Sequence, residues 1–76
     1  MFKKVAQQLI TQEHARACNL YPPFHSPHEG LAILQQEFEE LKREVFKNPN
    51  DTELASVQRE AAQVGAMALR FLIDCT

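Results

Sequence analysis

The chain has no tryptophan, one tyrosine and only two glycines in 76 residues. β-Branched residues are also few, and such a composition favours helix over strand. Cys18 and Cys75 are its two cysteines, too few for a disulfide scaffold. No secretory segment is expected ahead of them, so they read as reduced thiols of an intracellular, cytoplasmic protein. No apolar run approaches the ~20 residues needed to span a bilayer, which excludes a membrane-spanning role. A net charge of −2 supplies no basic footprint for nucleic acid. No solenoid-length repeat or low-complexity tract is present. What remains is one small domain, 1–76, of a size that is marginal without a staple or a partner.

What is there is helical patterning. Three helices are predicted, over about 2–18, 27–47 and 52–75, in an all-α fold. Phe2, Val5, Leu9 and Ile10 give the first a modest apolar stripe. Pro22, Pro23 and Pro27 end it, and Tyr21-Pro22-Pro23-Phe24 reads as an extended loop. Ser26-Pro27-His28-Glu29 is a helix start: Ser26 as N-cap, Pro27 in the first helical position, Glu29 completing a capping box. Leu31, Leu34, Phe38, Leu41 and Val45 then alternate at three and four, and Pro49 stops the helix near Asn48. Asn50 or Asp51 is expected to cap the third helix. Its stripe runs through Leu54, Val57, Ala61, Val64, Ala68, Phe71 and on to Cys75, and after Val64 the other faces turn apolar too. A helix apolar on most sides must be covered on most sides. The prediction is a helical hairpin that self-associates into a four-helix-bundle-type core, with the third helix near its centre.

Glu37 and Glu40 on the second helix, and Glu60 and Gln63 on the third, are each three residues apart. At about 100° per residue, each pair lies to the same side of its own apolar stripe. Two antiparallel helices that face each other through their stripes bring such pairs together. Their heights match as well: Glu40 and Glu60 are equally far from a turn centred at Asn50, and so are Glu37 and Gln63. Converging carboxylates repel, and a divalent cation relieves the repulsion. Oxygen ligands without Cys or His suit a hard ion, Mg²⁺ or Mn²⁺, which keeps waters and binds phosphate oxygens, pointing to a nucleotide or other polyphosphate. The plainer reading of the same residues is a set of solvated glutamates partnered by Lys42, Arg43 and Arg59.

Glu37-x-x-Glu40, followed about twenty residues later by Glu60-x-x-Gln63, resembles the paired EExxE and ExxD motifs of the MazG-like, all-α nucleoside triphosphate pyrophosphohydrolases. The flanking text is similar too: a Pro-Pro-Phe loop, Ser-Pro-His-Glu-Gly, and later Arg-Glu-Ala-Ala-Gln-Val-Gly-Ala-Met-Ala-Leu-Arg. The resemblance covers about Tyr21 to Asp74. It implies a homodimer or homotetramer built through its helices, and Mg²⁺-dependent cleavage of a nucleoside triphosphate between its α and β phosphates. Glu37, Glu40 and Glu60 map onto metal-binding positions of the motifs. Gln36 and Gln63 stand where the family has carboxylates. Gln63 can still offer an oxygen to the metal, without charge and without basicity.

On this reading Glu37, Glu40 and Glu60 hold the metal with Gln63, and Glu44 or Glu37 accepts the proton of an attacking water. Arg43, Arg59 or Arg70 clamps phosphate oxygens, and Phe24 and His28 contact the base or sugar. The other class of function is a catalytically degenerate helical module that binds a nucleotide or a protein partner, a reading the two glutamines favour. A further possibility is a subunit whose site a partner chain completes.

Overall fold

A computed structural model of the chain describes residues 1–47, 49–51 and 53–76. The described residues are all-helical outside turns and caps: α1 spans Lys3–Leu20, α2 Pro27–Val45 and α3 Leu54–Cys75. Among them no helix is long and apolar enough to cross a membrane.

The start of α2 follows its sequence closely. Ser26 is extended, and its Oγ accepts the Glu29 backbone N–H at 3.1 Å. The second half of the expected capping box is displaced by one residue. The Glu29 carboxylate reaches back to His25, to its backbone N–H at 3.5 Å and its ring Nδ1 at 2.9 Å. At the other end α2 stops at Val45, two residues before the expected 47. The Lys47 N–H turns to the Glu44 carbonyl three residues back, tightening the last turn; Asn48, the expected stop, lies outside the described residues. Helix α3 begins at Leu54, so neither Asn50 nor Asp51 is its cap. Glu53 holds that position and makes no side-chain cap bond, while the expected start, Thr52, lies outside the described residues.

Helix α3 packs against both other helices, and α1 and α2 do not approach each other. Glycine allows each approach. A Cβ on Gly30 of α2 would lie 2.8 Å from Phe71 and 3.0 Å from Phe24. One on Gly65 of α3 would lie 2.8 Å from the Cδ1 of Ile10 on α1. The small buried core is Ala17, Phe24, Ala66 and Met67, with Ile33, Leu34, Phe71 and Cys75 packed against it.

The expected stripes are only partly covered. On α1, Phe2 is 83% exposed and Val5 is exposed, Leu9 and Ile10 are half-buried, and the buried residue is Ala17. On α3 the buried positions are Ala62, Ala66, Met67 and Arg70, none of them in the predicted stripe. The hairpin meets along one edge of its two stripes, through Leu34, Leu41, Val64 and Phe71, which are half-buried. Leu31, Phe38 and Val45 of α2, with Leu54, Ala61 and Ala68 of α3, stay exposed. By helical geometry both exposed sets fall on the same side of the α2–α3 contact, and Glu40 and Gln63 fall on the other. The physical reason is that α1 also claims a side of α3. Small residues there let its backbone come close, which rotates α3 away from stripe-to-stripe pairing with α2.

The two glycines should respond differently to alanine. At Gly30 the obstacles are rings wedged in the core, so Gly30→Ala is expected to cost about 1–3 kcal/mol and to lower the melting temperature. At Gly65 the obstacle is one side chain, Ile10, whose Cδ1 at 2.8 Å and Cγ1 at 3.0 Å must shift, and the gain of about 1 kcal/mol in helix propensity offsets part of that, so Gly65→Ala should cost less than Gly30→Ala. Thermal unfolding followed by circular dichroism separates the two.

Candidate functional site

The hairpin brings the predicted acidic residues together. Glu37, Glu40 and Glu60 are half-buried, and one carboxylate oxygen from each lies within 4.8 Å of the others. Gln63 completes the group. Its amide is satisfied with the nitrogen turned inward, donating to Glu37 Oε2 at 3.2 Å and to Glu60 Oε2 at 2.8 Å. In this arrangement Gln63 is a donor that ties one carboxylate of α2 to one of α3. Turned over, the same amide places its oxygen against the two carboxylates, the orientation that the metal-ligand role expected from the sequence requires.

Crowding shows in the titration of the cluster. Burial, then the neighbouring charge of Glu40, pushes the Glu37 carboxyl up to about 7. Glu60 is raised as well, again by burial first and Glu40 second. Glu44 behaves oppositely. It pairs with Lys47, whose hydrogen bond lowers its pKa, while its own charge adds to the rise at Glu60.

The cluster lies at one end of a cleft of about 550 Å³ between α1 and α2, floored by α3. Glu37, Glu40 and Gln63 line the acidic end, and Tyr21, Pro22, Phe24, Ile33 and Met67 line an apolar end. The size is that of a small-molecule site, apolar over most of its wall with a few convergent polar groups. From α1 come Glu13 and Arg16, joined by a bidentate contact in which Arg16 Nε and Nη2 reach Glu13 Oε2 at 3.1 and 3.0 Å. Their place was not anticipated. The spacing Ile10, Glu13, Ala17 continues at three and four past Ile10, the last residue of the α1 stripe, a signal that this face goes on turning inward through a polar position.

The other candidates divide. Phe24 is buried and walls the cleft, with its ring beneath the Arg70 guanidinium, 4.9 Å from the carbon to the ring centroid. Arg70 also lines the cleft, but its Nη2 is engaged by the Tyr21 and Pro22 carbonyls. Arg59 is exposed and donates to Ser56 Oγ at 3.4 Å. Arg43 lines a shallower depression on the outer side of α2 that shares Gln36 and Glu40 with the cleft. His28, exposed in the first turn of α2, is not part of the cleft wall. The cation that faces the acidic end from across the cleft is Arg16, close enough for the Glu37 charge to act on it.

The raised Glu37 pKa fixes the sign of a stability profile. An unfolded carboxyl near 4.5 has released its proton where the folded group, near 7, still holds one. The folded chain therefore binds more protons in this window, and its stability falls as pH rises through it. In metal-free buffer the melting temperature should decline between about pH 4.5 and 7, and Glu37→Gln should flatten that decline. A parent profile that rises with pH across this window would contradict the crowding. Compared with protein-family models, curated proteins and solved structures, the chain matches none of them.

Proposed function

We propose that the chain is a Mg²⁺-dependent nucleoside triphosphate pyrophosphohydrolase that releases a monophosphate and pyrophosphate. The observation that carries this reading is the convergence of three carboxylates, within 4.8 Å, at the end of a ligand-sized cleft. Their donor set is all oxygen, which fits Mg²⁺ or Mn²⁺ and not a soft metal. Held by Glu37, Glu40 and Glu60, the ion supplies charge neutralisation for the triphosphate and acidifies a bound water.

The protein's own groups divide the remaining work. Gln63 bridges Glu37 and Glu60 and so fixes the spacing of ligands drawn from two helices. Glu44 or Glu37 accepts the proton: Glu44 on release from Lys47, Glu37 only where Glu40 and Glu60 hold the ion without it, because a bound cation lowers the pKa of its own ligand. Water forms a bond to the α phosphorus, the P–O bond that bridges to the β phosphorus breaks, pyrophosphate departs, and that carboxylate accepts the proton from water. Arg16, exchanging Glu13 for a phosphate oxygen, clamps the chain of phosphates from the α1 side. The apolar end of the cleft receives the remainder of the nucleotide.

The second reading, a degenerate module that binds without turnover, has one observation in its favour. Gln63 already supplies two hydrogen bonds to the cluster where the related motif places a charge, which steadies the carboxylates without a metal. A single assay decides between the two. Pyrophosphate release from a panel of ribo- and deoxynucleoside triphosphates with Mg²⁺ should be detected. It should fall at least ~10- to 100-fold in Glu40→Gln and Glu60→Gln, the loss that even an outer-shell partner causes at a metal site. Undiminished turnover in both variants would rule out the assignment, and no turnover in the parent would leave the binding module.

The same reading includes a homodimer or homotetramer. Phe38 is 54% exposed and Leu54 73%, and with Leu31, Val45 and Ala68 they form an apolar face opposite the cleft. A face of this kind on so small a domain is suited to another copy of itself, two hairpins making a four-helix core. Light scattering should report a mass above that of the monomer, and Phe38→Glu should reduce it to one chain with helicity retained. A monomeric parent would refute the assembly.

A further inference from the structure

The connection between α1 and α2 does not hold itself in place. Of Tyr21, Pro22, Pro23 and Phe24, two are proline and have no backbone N–H to donate. Tyr21, Pro22 and Pro23 are exposed, and only Phe24 is buried. The Tyr21 N–H is held by the Ala17 carbonyl of α1 at 2.9 Å; the other partners of this segment come from the C-terminal half of α3. Arg70, 3% exposed, donates from Nη2 to the Tyr21 carbonyl at 2.8 Å and to the Pro22 carbonyl, and lies over the Phe24 ring. Asp74, one turn further on, accepts the Phe24 backbone N–H at 3.0 Å through Oδ2. The same oxygen is 3.4 Å from Arg70 Nε, which is buried and makes no hydrogen bond. The guanidinium is thus an ion-pair partner of Asp74, but its donors are aimed at the connection. Arg70, Tyr21, Pro22 and Phe24 all line the cleft.

We propose that Arg70 and Asp74 are positioning residues that latch Tyr21–Phe24 as a strap across the end of the cleft, and that the latched strap sets what the cleft admits. The second clause rests on the nucleotide reading of the cleft; the latch does not. Arginine suits the role because its planar fork meets two carbonyls while its face covers a ring. A lysine at the same position offers a point charge and neither geometry.

The chain carries its own probe. Tyr21 is its one tyrosine and there is no tryptophan, so intrinsic fluorescence reports the strap alone. In Asp74→Ala and Arg70→Lys, Tyr21 anisotropy should fall toward that of the unfolded chain, and the Phe24 amide should lose its protection from hydrogen exchange, with helicity retained. Asp74→Asn keeps an acceptor for the Phe24 N–H and should restore part of both signals. With nucleoside triphosphates and Mg²⁺, KM should rise roughly tenfold, about the loss of one hydrogen-bonded contact, and kcat should hold, as when only uniform binding is lost. Should Arg70→Lys fail to fold, the two Asp74 variants decide, because Asp74→Asn keeps the shape and the acceptor of the side chain and Asp74→Ala removes only its end. Unchanged anisotropy and Phe24 protection in Asp74→Ala would overturn the latch. An unchanged KM with a released strap would overturn the claim on admission. A parent without hydrolysis would remove the nucleotide reading and with it that claim, while fluorescence and exchange still decide the latch.

Discussion

Helix α3 is packed from two sides at once, and the other features of the structure follow from how it divides its surface. Toward α1 it offers Ala62, Ala66 and Gly65, so that Ile10 lies where a Cβ on Gly65 would be. Toward α2 it offers Met67, Phe71 and Cys75, with Gly30 of α2 closing onto Phe71. Because α1 and α2 meet α3 and not each other, a cleft remains between them, and the third side of α3 is left apolar and exposed. The buried core is thus small, Ala17 and Ala66 with Phe24 and Met67, and Leu31, Phe38, Val45 and Leu54 of the hairpin are left outside it.

The same division sets the electrostatics. The hairpin contact that leaves Phe38 and Val45 outside turns Glu37, Glu40 and Glu60 toward one another and half-buries them. Burial and mutual repulsion raise Glu37 and Glu60 above their ordinary range. Gln63 moderates this by donating to two of the three. A fourth carboxylate in its place would add repulsion and remove the donor. The cluster is therefore less charged than its sequence motif first suggests, and better held. Both properties bear on the proposed metal chemistry: fewer charges weaken attraction for a cation, while fixed spacing lowers the reorganisation needed to receive one.

Much of the cluster was legible from spacing. Glu37 with Glu40, and Glu60 with Gln63, sit on the same side of their stripes and at matched heights, which requires continuous antiparallel helices whose stripes face each other; contact along one edge of the stripes was enough. The buried positions of α3 were not legible in the same way. Apolar periodicity selected Leu54, Ala61 and Ala68, which are exposed, and passed over Ala62 and Arg70, which are buried. Periodicity ranks faces by hydrophobicity, whereas a helix with two neighbours buries whichever faces those neighbours approach, including one that carries a guanidinium. Glu13 and Arg16 escaped notice for a related reason: they lie on α1, whose weak stripe gave no direction to its polar C-terminal half.

By itself, the sequence determined the three helices, the Ser26 cap, the interruption by Pro22 and Pro23, and the pairing of the acidic residues. Each of these depends on local backbone preference or on spacing along one or two helices. Only the tertiary structure decided which face of α3 is buried, that Gln63 donates inward, and that Arg70 and Asp74 hold a segment 48 to 50 residues away. Those outcomes depend on the rotation of each helix about its axis, and that rotation is settled by packing among all three. For the motif read first, Glu37-x-x-Glu40 with Glu60-x-x-Gln63, spacing supplied the convergence. Packing supplied the cleft that gives the convergence something to act on.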